Sequence, residues 1–189
     1  MKTAIILGSV RLNRQSAKVA SYLARRVREL SEAEVDLMDL KDYAFPVMEE
    51  RLRMLKEPVP GLQDFSDRLM QADGIMIVSP EYNGSYPGAL KNLLDYFKAE
   101  YQKKVFALVT VSSGQWGGIN ASHHLESWVT HVKGYLSPYK LMVPFVEELF
   151  DPDGLPLNPS FVRQADQVIE EWLWLTQTVA QSPGPKASR

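Results

Sequence analysis

Three short segments of the chain combine glycine with hydroxyl, amide or basic side chains, which are residue types that hold phosphate groups and flat polar ligands. They are residues 8–16 (GSVRLNRQS), 79–92 (SPEYNGSYPGALKN) and 112–118 (SSGQWGG). The chain has no cysteine, which excludes disulfides, thiolate metal sites, iron–sulfur clusters and dithiol redox chemistry. Electron transfer by this protein would therefore require a bound cofactor.

Segment 8–16 has the composition of a phosphate-binding loop that leads into a helix. Ser9 and Ser16 offer hydroxyl groups, and Arg11 and Arg14 offer positive charge. Free backbone N–H groups and the helix dipole would add to this attraction. The loop matches neither GxxxxGK[ST] nor GxGxxG, which disfavours a nucleoside triphosphate site and a Rossmann-type dinucleotide site. An ordinary capped turn with two solvated arginines is the alternative interpretation.

Segment 79–92 has the features of a rigid wall against a flat ligand. Pro80 and Pro87 stiffen its ends, and Gly84 lets the backbone come close. Exposed backbone amides can bond the polar edge of a ring such as a flavin, and Tyr82 offers an aromatic face. The Asn-Gly pair can also mark a simple tight turn, but a turn alone does not explain the run that continues into GALKN.

Short apolar runs alternate with helical periodicity along the chain, which predicts a single α/β domain. The predicted strands are residues 3–7, 35–38, 75–78, 105–111 and 141–146. Apolar stripes at helical spacing cover residues 19–30, 62–72, 90–97 and 165–175. Since the strand segments are nearly continuous in apolar character, we expect a five-stranded parallel sheet buried between two helical layers, a three-layer sandwich with strand order 2-1-3-4-5.

The predicted topology brings the three segments together. In an open parallel sheet, ligands bind outside the carboxyl ends of the strands, where the strand order reverses. For the order 2-1-3-4-5 this point lies between strands one and three. The three segments follow strands one, three and four, so we expect them to form one site.

Residues 80–95 closely resemble the signature of the NAD(P)H-dependent FMN reductase family, in which PEYNGSxPGxLKNxxD follows the third strand. Asp95 stands in the matching place. The first segment is similar to the family's GSxR opening, and the third is similar to its SxGxxGG turn. The three motifs occur in the family's order and cover the chain from residue 2 to about residue 146.

The resemblance implies a flavodoxin-like homodimer or homotetramer that binds FMN non-covalently and takes electrons from NADPH or NADH. It implies a small acceptor: free flavin, a quinone, an azo compound or a metal oxyanion. The matching positions are Ser9, Arg11, Asn13, Arg14, Gln15 and Ser16 at the phosphate, Pro80, Glu81, Tyr82, Asn83 and Gly84 along the isoalloxazine ring, and Ser112, Ser113, Gly114, Gly117 and Gly118 at its pyrimidine end. Asn13 and Arg14 lie where the family's loop varies in length. No side chain is required as a catalytic acid.

Two other functions are compatible with parts of this pattern. A flavodoxin-type electron carrier would bind FMN without a nicotinamide site, but such carriers are usually markedly acidic, and the net charge here is -2. A phosphate-responsive receiver domain would need an acidic cluster after the first strand, where this chain has GSVR. His123, His124 and His131 have neither a cysteine nor an HExxH partner, which disfavours a metal site.

Composition also sets expectations about partners and location. A net charge of -2 provides no field that would attract nucleic acid or an acidic membrane surface. Since no run approaches the ~20 apolar residues of a membrane helix, and no secretory leader is recognised, we expect a cytoplasmic protein. Residues 1–180 are predicted to form the domain and residues 181–189 a disordered tail. Neither Trp116, which departs from the family pattern, nor the long 41–60 connection is assigned a role.

Overall fold

A computed structural model describes residues 1–182 as one α/β unit. In chain order its elements are β1 (Lys2–Leu7), α1 (Ser16–Leu30), β2 (Glu34–Asp39), α2 (Leu62–Gln71), β3 (Gly74–Pro80), α3 (Gly88–Asp95), β4 (Val105–Val111), α4 (Ile119–His131), β5 (Tyr135–Leu136), β6 (Leu141–Val143) and α5 (Pro159–Gln181). The predicted tail begins at residue 181, but Gln181 is the last residue of α5. Residues 183–189 lie outside the described part of the chain.

All strand pairs in the sheet are parallel, and the order is β2-β1-β3-β4-β5. This confirms the predicted flavodoxin-like topology. The prediction of one fifth strand over residues 141–146 is wrong in detail. Two short strands, β5 and β6, both pair with β4, and residues 144–146 are not part of either. Pro138 lies between them and has no N–H to donate, so one continuous ladder cannot form.

Both faces of the sheet are covered, as the continuous apolar strands predict. Every residue of β3 and β4 is buried. Helices α1 and α5 cover one face, where Leu23 and Ile169 pack into the apolar core. Helices α2, α3 and α4 cover the other, with Phe65, Leu93 and Val129 in a second core cluster. Polar ligands can therefore reach the sheet at its ends and not at its faces.

The long 41–60 connection is fastened to α3. The side-chain amide of Asn92 accepts from the Met48 N–H at 2.8 Å and donates to the Pro46 carbonyl at 2.7 Å. The Tyr96 hydroxyl donates to the same carbonyl at 3.0 Å. This connection is thus part of the packed structure, and Asn92, a residue of the sequence signature, holds it there.

Within residues 1–182, no helix combines the length and apolar character that a bilayer-crossing segment needs.

Two tryptophans on α5 have opposite environments. Trp172 is completely buried, and its indole N–H donates to the Val105 carbonyl at 3.1 Å. Trp174 is 61% exposed. The spacing of two residues on a helix predicts that only one ring can face the sheet, and the structure confirms this.

Replacing Trp172 by alanine is expected to lower the free energy of unfolding by about 3–5 kcal/mol, because it opens a cavity and removes the partner of a buried carbonyl. The matched variant Trp174→Ala should change it by no more than about 0.5 kcal/mol. Urea denaturation followed by far-UV circular dichroism measures both values. Equal losses for the two variants would contradict the assignment of Trp172 to the core.

Candidate functional site

A cavity of about 150 Å³ opens at the carboxyl ends of β1, β3 and β4. Its wall contains residues from all three sequence segments, which places them together as the topology predicts. The lining residues are Ser9, Arg11, Asn13, Arg14, Gln15, Ser16, Pro80, Glu81, Tyr82, Val111, Ser112, Ser113, Val146 and Glu147.

Ser9 joins the first segment to the second. It is fully buried, two residues after the end of β1, and its Oγ lies 2.9 Å from the Tyr82 hydroxyl. The guanidinium of Arg11 lies 5.6 Å from the centre of the Tyr82 ring, within range of a cation–π contact. Tyr82 therefore connects a hydroxyl and a positive charge of the first segment to the wall formed by the second.

The start of α1 has unused polar groups. The Ser16 hydroxyl and the Gln15 side-chain oxygen are buried and have no hydrogen-bond partner in the described part of the chain. Within residues 1–182, no side-chain hydrogen bond caps this end of the helix. A buried donor left without a partner is costly, so it is usually explained by an absent ligand or water. A phosphate oxygen at the helix start would satisfy both the hydroxyl and the free N–H groups.

The two arginines of the first segment differ in their partners. Arg14 Nη1 donates to Asp39 Oδ1 at 2.7 Å, and Nη2 makes a second bond to Asp39 Oδ2. Nη1 also donates to the Ser9 carbonyl. Arg11 has no ion pair within residues 1–182. Arg14 is thus paired with Asp39, whereas Arg11 has no acidic partner in the described part of the chain. That both arginines contact a phosphate stays a prediction.

The second segment contains a tight turn. Tyr82 and Ser85 exchange backbone hydrogen bonds of 2.8 and 3.1 Å, and φ is positive at both Asn83 (51°) and Gly84 (77°). This is the geometry of a two-residue hairpin turn of type I′, which the Asn-Gly pair favours. Pro80, Glu81 and Tyr82 line the cavity, whereas Asn83 and Gly84 do not. The tight-turn interpretation therefore describes the tip, and the ligand-wall interpretation describes the residues before it.

Glu81 has a structural partner that its sequence position did not predict. Its carboxylate accepts from the backbone N–H of Asn120 at 2.9 Å and of Ala121 at 3.1 Å. These are free N–H groups in the first turn of α4, so Glu81 caps that helix from another loop. The side chain of Glu81 ties the second segment to the helix that follows the third.

The third segment contributes to the cavity through its serines. Ser112 and Ser113 line it, but Gly114, Gly117 and Gly118 do not. Gly117 and Gly118 are buried with φ of 58° and 85°. A Cβ on Gly117 would lie 2.8 Å from the backbone carbonyl carbon of Met142. Close packing on β6 therefore requires a glycine at position 117, and close packing on β4 requires one at position 118. Their predicted contact with a ligand stays a prediction.

Four residues at the site were not selected from the sequence. Val111, Val146 and Glu147 line the cavity, and Asp39 holds Arg14. Val111 ends β4, and Asp39 ends β2. Their position at strand ends was the available signal, because all parallel strands finish at the same edge.

The histidines are not grouped. His124 Nδ1 lies 2.8 Å from the Ser85 hydroxyl, at the tight turn. In the described residues, no group of three or more His, Asp or Glu side chains is arranged to hold a metal ion.

The chain matches the model of the NADPH-dependent FMN reductase family over residues 1–148. It is 32% identical over 139 residues to an NAD(P)H-dependent FMN reductase of Saccharomyces cerevisiae, covering 67% of this chain and 72% of that protein. It is 30% identical over 147 residues to an FMN-dependent NADPH-azoreductase of Staphylococcus haemolyticus, covering 75% and 76%.

A solved structure of a flavoenzyme NAD(P)H:(acceptor) oxidoreductase from Paracoccus denitrificans superimposes with a TM-score of 0.81 at 21% identity, over 94% of this chain and 97% of that one. This likeness confirms the fold. The family match and the two sequence relatives confirm the resemblance found in the motifs. The chain belongs to the NADPH-dependent FMN reductase family, a group of flavodoxin-like oxidoreductases that use FMN and NAD(P)H.

Proposed function

We propose that this protein binds FMN in the cavity at the carboxyl ends of β1, β3 and β4, and passes electrons from NADPH or NADH to a small acceptor. The acceptor is a free flavin, a quinone, an azo compound or a metal oxyanion. The observation that carries the proposal is the start of α1. There, among residues 1–182, the buried Ser16 hydroxyl has no hydrogen-bond partner and Arg11, which lines the same cavity, has no acidic partner. These groups fit the phosphate of FMN.

At the phosphate end, the chain supplies donors and one positive charge. The backbone N–H groups of the first turn of α1 and the Ser16 hydroxyl, at the cavity wall, would donate to the phosphate. Arg11, held near the Tyr82 ring at 5.6 Å, adds the charge. Ser9 is positioned by its 2.9 Å contact with the Tyr82 hydroxyl.

At the ring end, the chain supplies a stiff wall. Pro80 and Tyr82 of the second segment and Ser112 and Ser113 of the third line the cavity. The Ser112 backbone is fixed by bonds to Val143 and Val146 of 3.0 and 3.2 Å. A wall fixed in this way orients a flat cofactor, and bound FMN supplies the redox chemistry that the side chains lack.

The ionisable side chains of the wall support a binding role and not acid catalysis. Glu81 is bonded to the start of α4, and Arg14 is bonded to Asp39. Both side chains therefore have structural partners. Because the bound flavin supplies the redox chemistry, we assign no side chain of the cavity as a catalytic acid.

We also retain the cytoplasmic location and the homodimeric or homotetrameric assembly as proposals. Trp116 and Phe145 are exposed near the cavity, and the Phe145 N–H donates to the carbonyl of Gly114. Large apolar side chains exposed together favour association. This supports a subunit contact beside the cavity.

The purified protein, loaded with FMN, is expected to lose its flavin absorption when NADPH or NADH is added without oxygen, and to recover it with a quinone. Absorbance near the flavin maximum under anaerobic conditions measures this. A loaded protein whose colour persists with both nucleotides would indicate the electron-carrier alternative. A protein that does not bind added FMN would contradict both functions.

Ser16→Ala is expected to weaken FMN binding about tenfold or more, because a hydroxyl bond to a charged phosphate is lost. The unfolding free energy of the flavin-free protein should change by less than about 0.5 kcal/mol, since that hydroxyl has no partner there. The matched control is Thr176→Val, which removes another buried, unpartnered hydroxyl on α5. FMN fluorescence titration should show normal affinity for the control, and equal affinity in both variants would argue against a phosphate at α1.

Asn83→Ala is expected to retain turnover with FMN bound, because Asn83 contributes its backbone turn and no reactive side chain. Asn83→Gly, which adopts the same positive φ without strain, should bind FMN at least as well as Asn83→Ala. Steady-state NADPH oxidation with a quinone measures turnover. Complete loss of activity in Asn83→Gly, with FMN still bound, would show that the amide side chain takes part in the reaction.

A further inference from the structure

We propose that Asp39 is a positioning residue for the phosphate end of the site: it holds Arg14 as a brace across residues 8–16, and this leaves Arg11 as the cation that meets the phosphate. The proposal rests on the proposed binding of FMN. It assigns different roles to two arginines that the sequence treats alike.

The register between β1 and β2 places Asp39 beside the first segment. Asp39, the last residue of β2, lies opposite Leu7, the last residue of β1. Because the first segment starts at Gly8, the residue after Leu7, Asp39 lies next to the beginning of that loop. Its orientation is fixed by the backbone N–H of Lys41, which donates to Oδ1 at 2.9 Å.

Arg14 closes the brace from the other end of the loop. Its guanidinium makes a two-pronged contact with Asp39, including the 2.7 Å bond from Nη1 to Oδ1, and it also donates to the Ser9 carbonyl. The side chains of Arg14 and Asp39 are only 12% and 20% exposed. One guanidinium thus ties the start of the loop, its end and the neighbouring strand.

This arrangement decides which groups face the ligand. With its carbonyl held by Arg14, Ser9 directs its Oγ to within 2.9 Å of the Tyr82 hydroxyl. The chain also passes through a left-handed conformation at Asn13, with φ of 55°, immediately before Arg14. Both features depend on the position of the Arg14 head group, and the head group depends on Asp39.

The two arginines also differ in whether a carboxylate offsets their charge. The carboxylate of Asp39 offsets the positive charge of Arg14 within the cavity wall, whereas Arg11 has no acidic partner in the described residues. Of the two arginines that line the cavity, Arg11 is therefore the one whose charge no carboxylate within residues 1–182 pairs with. Substitution of Arg11 would remove an electrostatic attraction for the phosphate. Substitution of Asp39 would instead change the conformation of residues 8–16.

Asp39→Asn is expected to weaken FMN binding about tenfold while riboflavin, which lacks the phosphate, changes by less than about twofold. The ratio of the FMN dissociation constant to the riboflavin dissociation constant should therefore rise about tenfold. Arg14→Gln should behave in the same way, and the double variant should be no worse than either single one, because the two residues act as one unit. Titration by fluorescence measures all four proteins.

The matched control is Asp166→Asn, which breaks another two-pronged pair, with Arg26 of α1, at 2.6 and 2.9 Å and with 26% and 24% side-chain exposure. That pair links α1 to α5 and lies outside the cavity wall. A general loss of stability would lower the affinity for both flavins in both variants, but only Asp39→Asn should change the ratio of the FMN to the riboflavin dissociation constant.

Titrations at several salt concentrations separate the effect of charge from that of loop conformation. Arg11→Gln should reduce the salt dependence of FMN binding, and Asp39→Asn should retain it.

Two results would overturn the proposal. Tighter FMN binding in Asp39→Asn would mean that Asp39 restrains Arg14 from the phosphate, and an unchanged ratio would mean that the pair does not shape the site. A wild-type protein that binds neither flavin overturns the FMN role and the proposed function together. Trypsin cleavage after Arg11 in the flavin-free protein then tests the brace itself, which requires faster cleavage in Asp39→Asn than in Asp166→Asn.

Discussion

The burial of the central strands on both faces is the constraint on which the rest of the molecule depends. Strands β3 and β4 have no exposed residue, since α1 and α5 cover one face and α2, α3 and α4 the other. Polar chemistry is excluded from such a sheet except at the ends of its strands. The residues that line the cavity lie at the ends of strands or in the loops that follow β1, β3, β4 and β6.

The backbone hydrogen bonds of the sheet do not connect loops that leave different strands. In this protein, side-chain contacts connect those loops. Ser9 contacts Tyr82, Glu81 caps α4, and Arg14 binds Asp39. Each contact crosses from one loop to another element. The cavity is therefore formed by the protein alone, which limits the loop ordering that ligand binding must supply.

The sequence predicted the fold because apolar periodicity records burial directly. Continuous runs identified the buried strands, and helical spacing identified four helices within a few residues. It did not predict the break between β5 and β6, since the two-residue strand Tyr135–Leu136 is too short for any periodic pattern.

Within the site, residue types near strand ends gave the correct segments but not the partner of each side chain. Glu81, Gly117 and Gly118 belong to a binding motif in the sequence, yet their close contacts are with α4, β4 and β6. Asp39 could not be found from a motif because its significance arises from its register opposite Leu7. Such pairings depend on distances across the sheet, which a linear spacing does not encode.

The cap that Glu81 places on α4 also determines the direction in which a ligand can lie. The helices that follow the first and third segments, α1 and α4, begin at this edge of the sheet, and each start carries partial positive charge. At α4 that charge is already met by a carboxylate, which would repel a second anion. An elongated molecule with one anionic end would therefore be favoured with that end toward β1 and its uncharged end toward β4. By capping α4 with its own carboxylate, the protein would distinguish one end of such a molecule from the other.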